Sequence, residues 1–346
     1  MTMKAARWYG QRDIRVEDIP VPDIAPHQVK IAVKYTGICG SDLHEYLGGP
    51  IFIPVGKEHP YSGRQAPLTM GHEFSGEVVE VGSQVTNLRI GDRVCCEPIL
   101  ARDGLKGKYN LDANLGFVGL AADGGFARYC AVNADLLHKL PDGIDYEQGA
   151  LAEPAAVALY AVRSSKLKAG DTAAVFGCGP IGLLVIEALR AAGATDIYAI
   201  ELSPERQQKA RELGAIIIDP ARTDSVAAIR EATGLGVDVS FEVTGVPPVL
   251  KQAIESVHND GECIIVSIWE HDALVHPNEI VIKEKTVKGI IAYRDVFPAV
   301  LKLMQKGYFS KDKLVTKRIK LEQIIEEGFE TLVREKSQVK ILVSPE

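Results

Sequence analysis

Residues 172–206, TAAVFGCGPIGLLVIEALRAAGATDIYAIELSPER, constrain the fold more than any other part of the chain. A short apolar run over 173–176 predicts a fully buried strand. It leads directly into Gly177-Cys178-Gly179-Pro180-Ile181-Gly182, a G-x-G-x-x-G. Ile181, Leu184, Val185, Ala188 and Leu189 then recur at helical spacing, and Gly193 stands where such a helix should stop. A second apolar run over 197–200 closes on the acid Glu201. Glycine-rich turns are common, but strand, glycines, helix, second strand and acid in this order make a dinucleotide fingerprint. Gly177 permits the tight turn, Gly179 removes a Cβ that would block a pyrophosphate, and Gly182 lets the helix pack close to the sheet. Pro180 and Ile181 open that helix, whose unpaired N–H groups and positive dipole end suit phosphate. Glu201 is placed to accept hydrogen bonds from the adenosine ribose and to repel a 2′-phosphate, which predicts NAD(H) rather than NADP. Arg206, a guanidinium nearby in sequence, pulls the other way.

After Glu153 strands and helices alternate. Strands are expected near 172–177, 197–202, 215–218, 237–243, 262–267 and 286–292, with helices such as 204–213, 223–233 and 247–256 between them. This alternation predicts an α/β domain with a parallel, doubly wound Rossmann sheet over 155–293. Residues 1–154 read differently. Short runs at 4–8, 29–34, 74–81, 93–97 and 126–132, punctuated by Gly, Pro and Asp, predict a mostly-β, barrel-like domain. The tail from 294 reads as a helix over 298–306, a helix over 322–334 and a strand over 339–343 that is expected to return to the first domain.

The totals narrow the function. With 346 residues the chain is long enough for two cores, and a net charge of −7 gives no basic surplus for nucleic acid. No apolar run approaches membrane-spanning length, and the charged N-terminus carries no signal-peptide pattern. The six cysteines are scattered without disulfide spacing, so a reducing cytoplasm is the expected compartment.

Two clusters in the first domain carry candidate chemistry: Gly37-Ile38-Cys39-Gly40-Ser41-Asp42-Leu43-His44 and Gly71-His72-Glu73. Singly they are weak. A lone cysteine is more often a small buried hydrophobe than a ligand, and Glu153 alone would be a helix-start carboxylate. Their order along the chain is more telling. GICGSDLH, GHEFSGEVVEVG, GDRV, EPAAVALYAV and VFGCGPIG together resemble the zinc-dependent medium-chain alcohol and polyol dehydrogenases over nearly the full length. Within that family the run HEYLGGPIFIP is similar to the bacterial diol dehydrogenases that interconvert 2,3-butanediol and acetoin.

The resemblance implies a GroES-like catalytic domain and one catalytic zinc. Cys39, His72 and Glu153 would be its ligands, with Glu73 beside the metal and able to enter its shell. A thiolate, an imidazole and a carboxylate give zinc three protein ligands and leave a position open for chemistry. The resemblance further implies that zinc acidifies a substrate hydroxyl whose carbon then passes a hydride to NAD, that Ser41 takes the proton, that the nicotinamide ribose passes it on, and that His44 delivers it to solvent. In one respect the sequence departs from the family. Many relatives hold a second, structural zinc on four clustered cysteines between positions equivalent to 97 and 119, and here EPILARDGLKGKYNLDANLG contains none. Cys95 and Cys96 are strand neighbours facing opposite ways and cannot share a metal. No structural zinc is therefore expected. A small diol or hydroxyketone is the expected substrate, and an edge strand near 286–292 predicts a homodimer or homotetramer. The alternatives are a sorbitol- or threonine-type dehydrogenase on the same scaffold, a zinc-free quinone-reductase-type relative, and a non-catalytic NAD-binding protein.

Overall fold

The computed structural model describes residues 1–346 except 103, 106, 336 and 346. The chain divides into two compact units, one of residues 1–153 with 297–346 and one of residues 154–296.

The first unit begins with the hairpin β1 (Thr2–Gly10) and β2 (Asp13–Pro20). It continues through β3 (Gln28–Gly37), α1 (Gly40–Gly48), β4 (Leu68–Thr69), β5 (Glu73–Val81) and β6 (Arg93–Cys96). A small lobe carries β7 (Ile99–Leu100) and β8 (Gly116–Phe117). Then come β9 (Tyr129–Asn133), β10 (Leu137–Lys139), α2 (Tyr146–Ala150) and the start of α3 (Ala152–Ser164). β3 is the central strand. It pairs antiparallel with β5 and β9, and its alternate residues Val29, Ile31 and Val33 enter a core with Phe74, Val78, Val94 and Val132.

The second unit supplies β11 (Ala173–Phe176), α4 (Pro180–Ala192), β12 (Ile197–Ile200), α5 (Pro204–Glu212), β13 (Ile216–Ile218), α6 (Ser225–Thr233) and β14 (Val237–Glu242). α7 (Pro247–Ser256), β15 (Val257–Ile265), α8 (Pro277–Val281) and β16 (Thr286–Gly289) complete it. The strands form one sheet in the order β13-β12-β11-β14-β15-β16, every neighbouring pair parallel. This is the doubly wound order, with its reversal between β11 and β14. All four residues of β11 are buried, as a strand covered on both faces requires.

The tail adds α9 (Phe297–Gln305), α10 (Lys311–Leu314), β17 (Val315–Lys320), α11 (Glu330–Arg334) and β18 (Lys340–Ser344). β18 lies between β3 and β17 in the first unit's larger sheet. The single helix expected over 322–334 is instead a 3₁₀ turn (Leu321–Gln323), a π-helical stretch (Ile324–Phe329) and only then α11. In the π stretch Gly328 packs so closely that a Cβ would stand 2.7 Å from Ile38 Cδ1. No described helix is long and apolar enough to cross a membrane.

Candidate metal centre and cofactor crevice

Three elements of the first unit bring its chemistry together. Cys39 is the N-cap of α1, and the Asp42 carboxylate reaches back to accept from its N–H at 3.0 Å. His72 immediately precedes β5, and Glu73 is its first residue. Glu73 pairs with Gly37 across the β3–β5 ladder, and a Cβ on Gly37 would fall 2.1 Å from Glu73 Oε2. Only glycine there leaves the carboxylate its place. As a result the ligand atoms of Cys39, His72 and Glu73 all lie within 4.8 Å of one another. His72 and Glu73 are 4% and 0% exposed, which removes the reading of a solvated acidic patch.

Buried charge demands partners. Lys340, on β18 and itself buried, donates from Nζ to Glu73 Oε1 and Oε2 at 2.7 and 2.6 Å and to the Ile38 carbonyl at 3.2 Å. Burial alone would push this ammonium's pKa down, but Glu73, backed by Cys39 and Glu153, outweighs it and raises it. The His72 ring is framed at both nitrogens. Nε2 is 3.2 Å from Ser41 Oγ, and Nδ1 is 3.4 Å from Asp42 Oδ1. Burial opposes its protonation, yet the neighbouring Asp42 and Cys39 raise its pKa well above the usual value.

His72 Nδ1 and Asp42 Oδ1 both lack a completed hydrogen bond although fully enclosed. A metal ion would draw Nε2 and fix the ring as a neutral tautomer donating from Nδ1 to the Asp42 carboxylate, as metal-binding histidines commonly do. Sulfur, nitrogen and carboxylate donors converging in a dry site suit zinc. Glu153 is 6% exposed in the first turn of α3, and its carboxylate lies outside the 4.8 Å set, although its charge is felt at Lys340. Among the described residues this is the one cluster of three or more potential ligands. Burial pushes the Cys95 thiol up to about 12 and that of Cys96 well up, so neither is poised as a thiolate ligand.

Ser41 and His44 share α1 at a spacing of three residues, on one face of the helix. Sequence reasoning missed Asp42 and Lys340. Asp42 lies inside the quoted GICGSDLH run, and its i+3 relation to the N-cap was the available signal. Lys340 had none beyond a cation inside an apolar strand.

In the second unit the glycines behave as their positions require. Gly177 has φ +96°, and a Cβ on Gly182 would meet the Gly177 carbonyl at 1.9 Å. In front of Gly179 the space is open except for Arg206 Nη1, 3.9 Å from a notional Cβ. Pro180 and Ile181 begin α4 with Gly179 as N-cap. This leaves a cradle of the kind a pyrophosphate fills at a helix N-terminus. Glu201 ends this crossover. Its Oε2 accepts from Cys178 N–H at 2.8 Å, and its Oε1 accepts from Leu202 and Ser203 N–H at 2.8 and 2.9 Å. Three of a carboxylate's roughly four acceptor positions are thus taken by main chain. Glu201 therefore ties the fingerprint turn to the end of β12.

A doubly wound dinucleotide unit, joined in one chain to a β-rich unit that gathers a thiol, an imidazole and a carboxylate, defines a metal-dependent dehydrogenase. Residues 180–306 match the family model described as zinc-binding dehydrogenase, and residues 25–142 match the alcohol dehydrogenase GroES-like domain. The chain is 70% identical over 345 residues to the (R,R)-butanediol dehydrogenase of Bacillus subtilis (strain 168), covering 99% of this chain and 100% of that one. It is 45% identical over 353 residues to the (R,R)-butanediol dehydrogenase of Neisseria gonorrhoeae (strain ATCC 700825 / FA 1090), covering 99% of each. The crystal structure of the 2R,3R-butanediol dehydrogenase from Bacillus subtilis superimposes with a TM-score of 0.97, at 70% identity, over 99% of this chain and 100% of that one. The chain belongs to the zinc-binding dehydrogenase family.

Proposed function

We propose that the protein is a zinc- and NAD-dependent secondary alcohol dehydrogenase that interconverts 2,3-butanediol and acetoin and reduces diacetyl. The observation that carries this reading is the buried convergence of Cys39, His72 and Glu73, three residues from two distant stretches, within 4.8 Å. The 70%-identical relative, a butanediol dehydrogenase by name, supports the substrate.

In this reading the first unit is the catalytic domain and the second binds NAD. Cys39 and His72 hold one zinc with a carboxylate from Glu73 or Glu153. When bound, the zinc supplies Lewis acidity at the substrate oxygen and NAD supplies the hydride acceptor. The chain's own residues do the rest. Asp42 orients the His72 imidazole. Lys340 Nζ binds both oxygens of Glu73 and sets how far its carboxylate can move toward the metal position. Ser41 Oγ, 3.2 Å from His72 Nε2, accepts the proton of the substrate hydroxyl while releasing its own hydroxyl proton, which His44 delivers to solvent. Gly177, Gly179 and Gly182 with the start of α4 seat the pyrophosphate, and Glu201 selects NAD, with Arg206 at the rim of the same cradle. The absence of cysteine from the 97–119 lobe supports one zinc per chain, and β16 at the sheet edge supports a homodimer or homotetramer.

The test is an NAD-linked rate assay on stereochemically pure 2,3-butanediols, acetoin, sorbitol and threonine, repeated with NADP. A 2,3-butanediol with NAD should lead by at least about tenfold in kcat/KM. A lead for sorbitol, or for NADP, overturns the substrate or the cofactor assignment respectively. His44→Ala should lower kcat about tenfold or more and flatten its pH profile. An unchanged profile removes His44 from the relay.

A further inference from the structure

Glu242 is a buried carboxylate that the reading above does not use. It is the last residue of β14 and is 0% exposed. Its register partners are Phe176 and Ile265, the last residues of β11 and β15, so three strands end level with it. The carboxylate gathers neutral donors from two separate turns. Oε1 accepts from Thr244 N–H at 2.7 Å, from Gly245 N–H at 3.1 Å and from the Thr244 hydroxyl. Oε2 accepts from the Ser267 hydroxyl in the turn after β15. Thr244 Oγ1 in turn accepts from Val246 N–H at 3.1 Å, which extends the chain of bonds to the N-cap of α7.

These turns fit tightly against each other and against the fingerprint. A Cβ on Gly177 would fall 2.5 Å from Thr244 Cγ2, and one on Gly245, at φ +69°, would fall 2.7 Å from the Ile268 carbonyl. Gly177, the 244–246 turn and the 267–268 turn therefore share one packed edge at the carboxyl ends of β11, β14 and β15. In a doubly wound sheet the second mononucleotide half of a dinucleotide lies beyond the strand ends on the far side of the reversal, here past β14 and β15.

We infer that Glu242 is a positioning residue for the nicotinamide half of the cofactor: it staples the turn after β14 to the turn after β15 and so fixes the wall against which that half binds. The inference rests on the NAD reading above. Glu242 touches no cofactor itself, being wholly enclosed. Its effect passes through Thr244, Gly245, Val246 and Ser267.

The experiment measures two affinities on full-length protein. NADH binding is followed by fluorescence, and AMP, which carries only the adenosine half, by competition. Glu242→Ala should weaken NADH by about tenfold or more while AMP stays within about twofold. Glu242→Gln keeps an oxygen for the donors of the 244–245 turn and can meet Ser267 with its amide, so it should recover NADH affinity to within about threefold of wild type. Equal weakening of both ligands, or no weakening of either, overturns the inference. Should the alanine variant fail to fold, Ser267→Ala severs the link between the turns alone. It should weaken NADH and spare AMP, and unchanged NADH affinity there overturns the inference. Wild-type protein that binds neither ligand would instead refute the NAD reading.

Discussion

Lys340 and Glu73 show how one pair of residues links packing to chemistry. Both are buried, and each leaves the other's charge uncompensated if it is removed. Lys340→Met should therefore cost the metal-free protein about 3–5 kcal/mol. Zinc brings positive charge to the same carboxylate, so saturating metal should restore a larger share of stability to this variant than to wild type. Thermal melts of stripped and zinc-loaded protein check this, and equal zinc shifts in the two proteins would contradict it. At this scale the sequence was uneven. Cys39, His72 and Glu73 stood in motifs that carry the resemblance to the dehydrogenase family, which is what singled them out. Lys340 is 267 positions from Glu73, and a pair made by β18 joining β3 leaves no local trace. Glu153 is also visible in sequence as the opening of α3, whereas the position of its carboxylate outside the Cys39–His72–Glu73 set depends on packing that no pattern encodes.

Among the elements, the 97–119 lobe holds together without cysteine. Asp112 accepts from the Arg102 and Asn114 N–H groups at 2.9 and 2.8 Å and from the Tyr61 hydroxyl at 2.7 Å. Glu97 accepts from the Tyr109 hydroxyl at 2.8 Å and meets His138 Nε2 on β10 at 2.7 Å. A carboxylate that collects main-chain donors does the cross-linking work that a metal does with thiolates, with opposite sign. Those donors, Arg102 first, hold the Asp112 carboxyl down at about 2. Because the folded chain holds this carboxyl below the ordinary aspartate value of 3.8, the stabilisation is complete above that value and is lost as pH falls through about 2. Hydrogen exchange of the Asn114 and Leu115 amides should stay protected down to about pH 4 and lose protection below it, and Asp112→Ala should abolish that protection at neutral pH. Protection that does not depend on pH or on Asp112 would contradict this. Element types followed residue patterns where burial was two-sided, as in β11 and β12. β2 and β17 escaped notice because DIRVEDIP and VTKRIK are charged, half-exposed strands at sheet edges with no apolar run. The π stretch over Ile324–Phe329 was invisible because its amphipathic pattern differs little from that of an α-helix.

For the whole molecule, the doubly wound sheet was readable because a parallel sheet must alternate strand and helix, and because the fingerprint marks its first crossover. The return of the last strand to the first unit was expected from the sequence and is found in β18, but its place between β3 and β17 is set by the assembled sheet and leaves no local pattern. The central claim is that Cys39, His72 and a carboxylate hold one zinc on which oxidation of 2,3-butanediol depends. The most direct measurement is NAD-linked oxidation of enantiopure 2,3-butanediols by protein stripped with a chelator and then titrated with zinc. The account predicts that stripping lowers kcat to below about 1% and that activity returns in proportion to zinc, reaching a plateau at about one equivalent per chain, with Cys39→Ala unable to recover. Full turnover by the metal-free protein, or a plateau at about two equivalents, would contradict it.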